Sequence, residues 1–214
     1  MPDLLPLFLN LTGRTVLLVG GGPVATAKLQ QLLAAGAHVR VVAPEISEEI
    51  LSAAPQVLVA RRPFVPTDLD GVWLVVAAAT PPVNREVAAV AEAQRVFVNA
   101  VDDPANASAF LSGVVRRDGV TLAISTGGDA PALTALLREA FDALLPRDLE
   151  RWVSQARAER VVWRSEGVPM EARKPRLLRA LNALYQATAE DPALSAIDRA
   201  AHVPWLNLPE DSWL

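Results

Sequence analysis

Residues Thr15–Lys28 read TVLLVGGGPVATAK, an apolar and β-branched run that passes directly into three glycines and then a helix-compatible segment. The run predicts a buried strand, and Gly20-Gly21-Gly22 predicts a tight turn at its end. Pro23–Ala35 has the apolar spacing of a helix. His38–Ala43, which reads HVRVVA, predicts a second strand. Together these segments predict a βαβ unit.

The alternation of strands and helices continues toward residue 99. Further strands are predicted over Val57–Ala60, Trp73–Ala79 and Val96–Asn99, with a helix over Val83–Gln94. Strands that alternate with helices indicate a parallel sheet covered on both faces. The predicted fold class is therefore α/β, a Rossmann-like doubly wound parallel sheet.

The pattern changes beyond this region. Strands predicted over Ala109–Val115 and Val120–Ser125 flank Asp118-Gly119, a hairpin turn signal, so they should pair antiparallel. A helix should follow Pro131 and end at Pro146. The chain from Arg147 is predicted helical with a break near Gly167–Pro169, and Asp191–Leu214 is predicted irregular.

Composition excludes several classes of protein. The 214 residues are 51% hydrophobic, which excludes a disordered chain, and the net charge of −4 gives no support for a nucleic-acid partner. The absence of cysteine excludes disulfides and thiolate metal ligands, and two histidines argue against a multi-histidine metal site, so no protein metal site is predicted. No apolar stretch approaches the ~20 residues of a membrane span, and the N-terminus does not resemble a signal peptide. We expect a cytoplasmic protein without membrane contact.

Charge is concentrated in one region. Arg147–Arg179 contains nine basic and five acidic residues, a local charge of +4 within an acidic chain. Guanidinium groups bind carboxylates well, so the region suits a polycarboxylate ligand. A solvated helix face is the alternative interpretation.

The glycine cluster has the form G-x-G-x-x-A, with Gly20, Gly22 and Ala25 at the fixed positions and Pro23 and Val24 opening the helix. Such a loop between a strand and a helix lets a dinucleotide pyrophosphate approach the backbone and the helix N-terminus. A glycine-rich turn without a ligand is the alternative.

The end of the second predicted strand bears on cofactor choice. An acidic residue commonly binds the ribose there, but this chain has Ala43-Pro44, and its first acid is Glu45. Arg40 lies inside the strand, and no arginine follows to bind a 2′-phosphate. The cofactor prediction is therefore NAD rather than NADP, with Ala43 and Pro44 as candidate contacts.

Two later loops carry polar groups. Asn99–Pro104 follows an apolar strand, so Asp102 should lie at the ligand-binding edge of the sheet as a general base or a cation contact. A solvated Asx-Pro turn is the alternative. Ser125–Pro131 offers hydroxyls and paired glycines to an anion or a substrate edge, or serves as a helix-capping loop with Asp129 as the cap.

Taken in order, these motifs resemble the precorrin-2 dehydrogenase family, which includes the N-terminal half of bacterial siroheme synthase and a yeast bifunctional dehydrogenase/ferrochelatase. The motifs that carry the resemblance are Leu7–Leu11, Val16–Lys28, Trp73–Thr80 with Asn84, Val98–Asp102, and Phe110 followed by Gly119–Pro131. The resemblance covers about residues 4–146 well and 147–190 loosely. This sequence departs from the family after Thr80, where the loop is shorter and Pro81-Pro82 replaces an acidic stretch.

The resemblance implies a reaction and an assembly. NAD⁺ accepts a hydride from precorrin-2 and protons leave, giving sirohydrochlorin; some members then insert Fe²⁺, a ferrochelatase (lyase) activity, and Co²⁺ is a second candidate substrate metal. The eight carboxylates of precorrin-2 would match the arginine excess. Three regions are implied: an NAD-binding domain (1–109), a dimerisation region (110–146) and a helical domain (147–214) with an irregular tail. The implied assembly is an intertwined homodimer.

The resemblance also assigns roles to individual residues. Asp102 matches the catalytic acidic residue, and Ser125 and Thr126 match a hydroxyl pair lining the tetrapyrrole cleft. The implied cofactor contacts include Thr80, Asn99 and Val101, and the remaining substrate-binding candidates are Gly127, Gly128 and Arg116. A non-catalytic NAD-sensing module is the competing hypothesis; it shares the glycine loop but does not need Asp102 or the arginine-rich helices.

Overall fold

The computed structural model describes residues 4–53 and 57–189. These residues form two compact units. The first contains the described chain up to Ser112 together with Ser125–Pro131. The second contains Gly113–Ile124 and the described residues from Ala132 onward. The predicted division into three regions stays a prediction.

The first unit is built on a five-stranded parallel sheet in the order β3-β2-β1-β4-β5. The strands are β1 (Thr15–Val19), β2 (His38–Val42), β3 (Val57–Ala60), β4 (Leu74–Ala77) and β5 (Phe97–Ala100). The helices are α1 (Pro23–Ala34), α2 (Glu48–Ser52) and α3 (Pro81–Gln94), with 3₁₀ turns at Pro66–Leu69 and Pro104–Asn106. In the register, Val19 pairs with Val42 on one side and Ala77 on the other, so the carboxyl ends of these strands share one edge.

Both faces of the sheet are covered, which explains why its strands are continuous apolar runs. On one face, Val16 and Leu18 pack with Leu29 of α1. On the other, Leu17 and Val75 belong to the core cluster that contains the buried residues of α3. The predicted doubly wound α/β fold is confirmed.

The second unit contains the hairpin β6 (Gly113–Arg117) and β7 (Val120–Ile124), followed by α4 (Pro131–Leu144), α5 (Leu149–Ser165) and α6 (Met170–Ala189). Asp118 and Gly119 both have positive φ, 49° and 84°, as the right-handed twist of a two-residue hairpin requires. The predicted break near Gly167–Pro169 separates α5 from α6.

The structure corrects several predicted boundaries. The strand expected over Ala109–Val115 begins only at Gly113, because the N–H groups of Ser108 and Ala109 both donate to the Val98 carbonyl at 2.9 Å and hold the chain against β5 instead. The helix expected from Val83 begins at Pro81, since proline suits the first helical turn.

Three short elements were not predicted from the sequence: α2 and the two 3₁₀ turns. The predicted irregular tail, Asp191–Leu214, lies outside the described residues. Within the part of the chain that the structure describes, no helix combines the length and hydrophobicity needed to cross a bilayer.

Candidate functional site

Two of the three clustered glycines are required by the fold itself. Gly20 has φ +130°, and a Cβ there would overlap the Ala78 carbonyl, whose carbon would be 2.7 Å away. A Cβ on Gly21 would overlap the backbone of Glu45, part of the loop whose Ser47 N–H donates to the Gly21 carbonyl at 2.9 Å. These glycines let β1, β4 and the loop after β2 meet at one edge of the sheet.

Gly22 is different, because a Cβ there would meet nothing within 4 Å. Its φ of −90° is accessible to any residue, and it is exposed. The fold therefore does not need glycine at this position, and the missing side chain leaves open space at the N-terminus of α1. Space of this kind is what close approach of a phosphate to the backbone requires.

The start of α1 has the donors and the field to hold an anion. The N–H of Thr26 donates to the Gly22 carbonyl at 3.0 Å. The earlier N–H groups of Val24 and Ala25 therefore have no carbonyl partner in the helix, and Pro23 has no N–H. The first turn contains no acidic residue that would repel a bound anion. Ala25 is fully buried, which allows α1 to lie close to the sheet. These residues fit a dinucleotide pyrophosphate.

Arg40 of β2 binds backbone carbonyls rather than pointing to a free anion site. Its Nη2 donates to the backbone carbonyls of Asp68 at 2.7 Å and Asp70 at 3.2 Å, so this guanidinium stabilises the end of a 3₁₀ turn. Ala43 is buried and its N–H donates to Ala60, while Pro44 is exposed. The cofactor roles of Ala43 and Pro44 stay predictions.

Asp102 projects from the edge of the sheet beyond β5. The N–H of Val101 donates to the Ala77 carbonyl at 2.9 Å, which extends the pairing of β4 and β5 by one residue. Asp102 then adopts a left-handed backbone conformation with φ 57°, which is uncommon outside glycine. Within the described residues, its carboxylate has no hydrogen-bond partner. The neighbouring Asp103 is held by Asn106, whose Nδ2 donates to both carboxylate oxygens at 3.0 and 2.8 Å.

Lys28 is a charged neighbour of Asp102 that the sequence reasoning did not single out as a site residue. It lies half-buried on α1, and burial lowers the pKa of its ammonium, while attraction to the Asp102 carboxylate acts in the opposite direction. A single lysine in an amphipathic helix gives no signal that would distinguish it from a solvated residue.

Asn84 connects the two strand ends beside Asp102. It is buried in the first turn of α3, where its Oδ1 accepts the Ala79 N–H at 2.9 Å and its Nδ2 donates to the Val101 carbonyl at 3.3 Å. Ala79 follows β4 and Val101 follows β5, so one side chain spans both ends.

An open cavity of about 420 Å³ lies next to Asn84. Its lining residues are Ala79, Pro81, Asn84, Arg85, Val101, Asp102, Asp103 and Asn106. The guanidinium of Arg85 and the carboxylate of Asp102 both line this cavity. It can therefore bind an acidic group and accept a proton from a bound molecule.

Thr80 and Asn99, both predicted cofactor contacts, lie at different depths. Thr80 is the exposed N-cap of α3, and its hydroxyl makes no capping hydrogen bond. Asn99 is buried in β5, with its Nδ2 donating to the Ala109 carbonyl at 3.0 Å and its Oδ1 without a partner among the described residues. Their roles toward a cofactor, like that of Val101, stay predictions.

The Ser125–Pro131 loop belongs to the first unit. A Cβ on Gly128 would lie 3.1 Å from Pro104 Cβ, so the loop packs against the segment that follows Asp102. Within the loop, Ser125 Oγ accepts the Gly127 N–H at 3.1 Å and Thr126 Oγ1 accepts the Ala130 N–H at 3.2 Å. The structure thus places the predicted substrate-binding residues Ser125–Gly128 near Pro104, two residues after Asp102.

Arg116, the remaining substrate-binding candidate, is an exposed residue of β6 in the second unit. Among residues 4–53 and 57–189, no group of three or more histidine, aspartate or glutamate side chains is placed to hold a metal ion.

Comparison with known proteins gives a family and a set of relatives. A family model described as putative NAD(P)-binding matches residues 7–113, half of the chain. Siroheme synthase 1 of Aeromonas hydrophila is 44% identical over 150 residues, and siroheme synthase of Tolumonas auensis is 43% identical over 153 residues. Each alignment covers 69% of this chain and 32% of the relative. The chain therefore spans about a third of the length of these synthases.

A solved structure titled "SirC, precorrin-2 dehydrogenase" is similar over nearly the whole chain. It has a TM-score of 0.62 and 25% sequence identity, and the match covers 95% of this chain and 98% of that one. These similarities confirm the resemblance that the ordered motifs predicted.

Proposed function

We propose that this chain, which belongs to the putative NAD(P)-binding family, catalyses the NAD-dependent dehydrogenation of precorrin-2 to sirohydrochlorin. The observation that carries the proposal is the shared sheet edge. There the open N-terminus of α1 at Gly22 fits a pyrophosphate, and the carboxylate of Asp102 is free of hydrogen bonds within the described residues. The similarity to siroheme synthases and to a precorrin-2 dehydrogenase supports the choice of substrate.

In the overall reaction, precorrin-2 and NAD⁺ give sirohydrochlorin, NADH and a proton. When bound, NAD supplies the hydride acceptor. Asp102 accepts the proton that leaves the macrocycle and returns it to solvent, which its exposure permits. Arg85, in the wall of the same cavity, binds one substrate carboxylate and orients the macrocycle edge.

The remaining contacts extend this arrangement. Ser125, Thr126 and the Gly127-Gly128 backbone line the substrate edge next to the Asp102 segment, and Arg116, which lies in the second unit, stays a predicted substrate contact. The cofactor is NAD rather than NADP, because Arg40 is occupied by backbone carbonyls and β2 ends without another arginine. Comparing kcat/KM for the two cofactors tests this choice. The cysteine-free composition and the use of NAD support a cytoplasmic location.

The working form is a homodimer whose interface includes α4. This helix has no buried residue, although it carries an apolar face on which Leu136 and Leu144 are 62% and 63% exposed. Exposed apolar surface of this kind typically marks an interface. Light scattering should give the dimer mass for the wild type and the monomer mass for Leu136→Glu. A monomeric wild type would contradict the assembly.

The decisive experiment is to incubate the protein with precorrin-2 and NAD⁺ and to follow NADH and sirohydrochlorin. Asp102→Asn removes the charge while tolerating the left-handed backbone, since asparagine adopts that conformation readily. We expect kcat to fall at least about 100-fold, as for loss of a general base, with an unchanged Kd for NAD. Wild-type turnover no faster than the no-enzyme control would reject the proposal. NAD binding without tetrapyrrole affinity would favour the sensing module.

Metal insertion is a second candidate activity. Insertion into sirohydrochlorin releases two pyrrole protons, and the exposed Asp102 carboxylate can accept them one at a time, passing the first to solvent before it takes the second, without serving as a resident metal ligand. Fe²⁺ and Co²⁺ are the substrate metals to test, each against a no-enzyme control. Equal insertion rates with and without the protein would restrict the function to dehydrogenation.

A further inference from the structure

We propose that Asn84 is a positioning residue that sets the place of the Asp102 carboxylate; this inference rests on the proposed dehydrogenase function. Asn84 lies on a different element from Asp102, in the first turn of α3. Its own backbone N–H donates to the Thr80 carbonyl at 2.9 Å, which fixes the residue in the helix. Its side chain is therefore free to bond outside the helix.

Both polar atoms of the Asn84 side-chain amide are hydrogen-bonded at the strand ends. Oδ1 accepts the N–H of Ala79, and Nδ2 donates to the carbonyl of Val101. A buried side chain that makes both bonds fixes the relative positions of Ala79, two residues after β4, and Val101, the residue before Asp102.

The backbone on both sides of Asp102 is held as a result. Val101 donates its N–H to Ala77 and accepts Asn84 at its carbonyl, so both of its peptide groups are committed. On the other side, the N–H of Asp103 donates to the Ala100 carbonyl at 3.4 Å, and its carboxylate is held by Asn106. The left-handed Asp102 therefore lies between two residues that are held by hydrogen bonds.

Without Asn84, the Val101 carbonyl loses its donor and the turn loses one of its two anchors. A proton-accepting group displaced by about 1 Å can lower a rate about 100-fold. We expect Asn84→Ala to lower kcat about 10- to 100-fold and to change the Kd for NAD much less than kcat, because the predicted pyrophosphate site at Gly22 follows β1 and makes no contact with Asn84. Val87→Ala is the matched control, since Val87 is a buried residue of the same helix that touches neither strand end through a hydrogen bond.

A double-mutant cycle distinguishes positioning from general loss of stability. If Asn84 acts through Asp102, Asn84→Ala should lower kcat in the wild type and have little further effect, within about threefold, in an Asp102→Asn background. The proposal is overturned if the two effects multiply, if Val87→Ala lowers kcat as much, or if NAD affinity falls as much as kcat.

Hydrogen exchange provides a readout that does not depend on the reaction. In Asn84→Ala, the amides of Ala79 and Val101 should exchange faster than in the wild type, whereas Val87→Ala should leave their protection relative to the rest of the sheet unchanged. Protected amides in Asn84→Ala would overturn the positioning role even if the wild type turns over precorrin-2. Absence of wild-type turnover would instead reject the proposed function.

Discussion

The open space at Gly22 gives a test of cofactor binding that separates binding from folding. The perturbation is Gly22→Ala. A methyl group there would contact no protein atom within 4 Å, and φ −90° with ψ −171° is allowed for alanine. Replacing glycine reduces the entropy of the unfolded chain and gains about 0.4–1 kcal/mol, whereas alanine is a poorer N-cap by a similar amount. The free energy of unfolding should therefore change by no more than about 0.5 kcal/mol.

The effect on NAD affinity should be much larger. The methyl group would occupy the space through which the pyrophosphate approaches the N–H groups of Val24 and Ala25. Loss of one hydrogen bond to a charged group costs about 1.5–3 kcal/mol, which corresponds to about a 10- to 150-fold rise in Kd. Calorimetry measures the Kd, and urea unfolding followed by circular dichroism measures stability.

Gly20→Ala is the contrasting variant. At Gly20 the methyl group would collide with the Ala78 carbonyl, and φ +130° is unfavourable for alanine, so this variant should lose stability by several kcal/mol. Wild-type NAD affinity in Gly22→Ala would mean that the pyrophosphate does not approach the backbone at this position. Equal instability of Gly22→Ala and Gly20→Ala would mean that the space at Gly22 is not open.

Three further predictions concern stability. Arg62 and a backbone N–H hold the pKa of Asp68 below its ordinary value of 3.8, so Asp68→Asn should lower the free energy of unfolding by about 1–2 kcal/mol at pH 7. This difference should be complete above pH 3.8 and should disappear as the pH falls through the lower folded-state pKa. A pH-independent difference in urea unfolding would contradict it. Burial lowers the pKa of Lys28 below 10.5, so the folded protein binds the lysine proton less readily than the unfolded chain does. Lys28→Met should therefore be more stable than the wild type by about 0.5 kcal/mol at pH 7, and this difference in stability should shrink toward pH 10.5. A difference that does not change with pH would argue against the buried charge. Arg117 donates to the Leu145 carbonyl at 2.9 Å and to Asp142 at 2.7 Å. In thermal unfolding, Arg117→Met should lose about 1–2 kcal/mol of stability, and Asp142→Asn should lose less than half of that. Equal losses would mean that the bond to the Leu145 carbonyl contributes nothing.

The core of the fold could be predicted because its strands are short apolar runs. Thr15–Val19 and Val57–Ala60 have the predicted bounds, since each is a continuous run of apolar or β-branched residues. The segment before Gly113 was predicted as strand because its composition is equally apolar. Its hydrogen bonds, however, go to Val98 through Ser108 and Ala109, a long-range contact that no local pattern encodes.

In the candidate site too, local sequence patterns predicted some residues, whereas roles that depend on long-range contacts could not be predicted. Asp102 could be predicted because the carboxyl end of a parallel strand is a position that the alternation of elements alone specifies. The bridging role of Asn84 could not, because it depends on Ala79 and Val101 being adjacent across two strands. Lys28 was missed for a related reason: a lysine on a helix is usually solvated, and its partial burial depends on how α1 packs on the sheet.

The two prolines that begin α3 affect which helix can hold a dinucleotide pyrophosphate. Both α1 and α3 point their N-termini at the ligand-binding edge, so the pyrophosphate of a dinucleotide could in principle bind at either helix. Pro81 and Pro82 remove two of the backbone donors that α3 would otherwise present, whereas α1 keeps those of Val24 and Ala25. A pyrophosphate at α3 would therefore find fewer backbone donors than one at α1. The proline pair thus favours cofactor binding at α1.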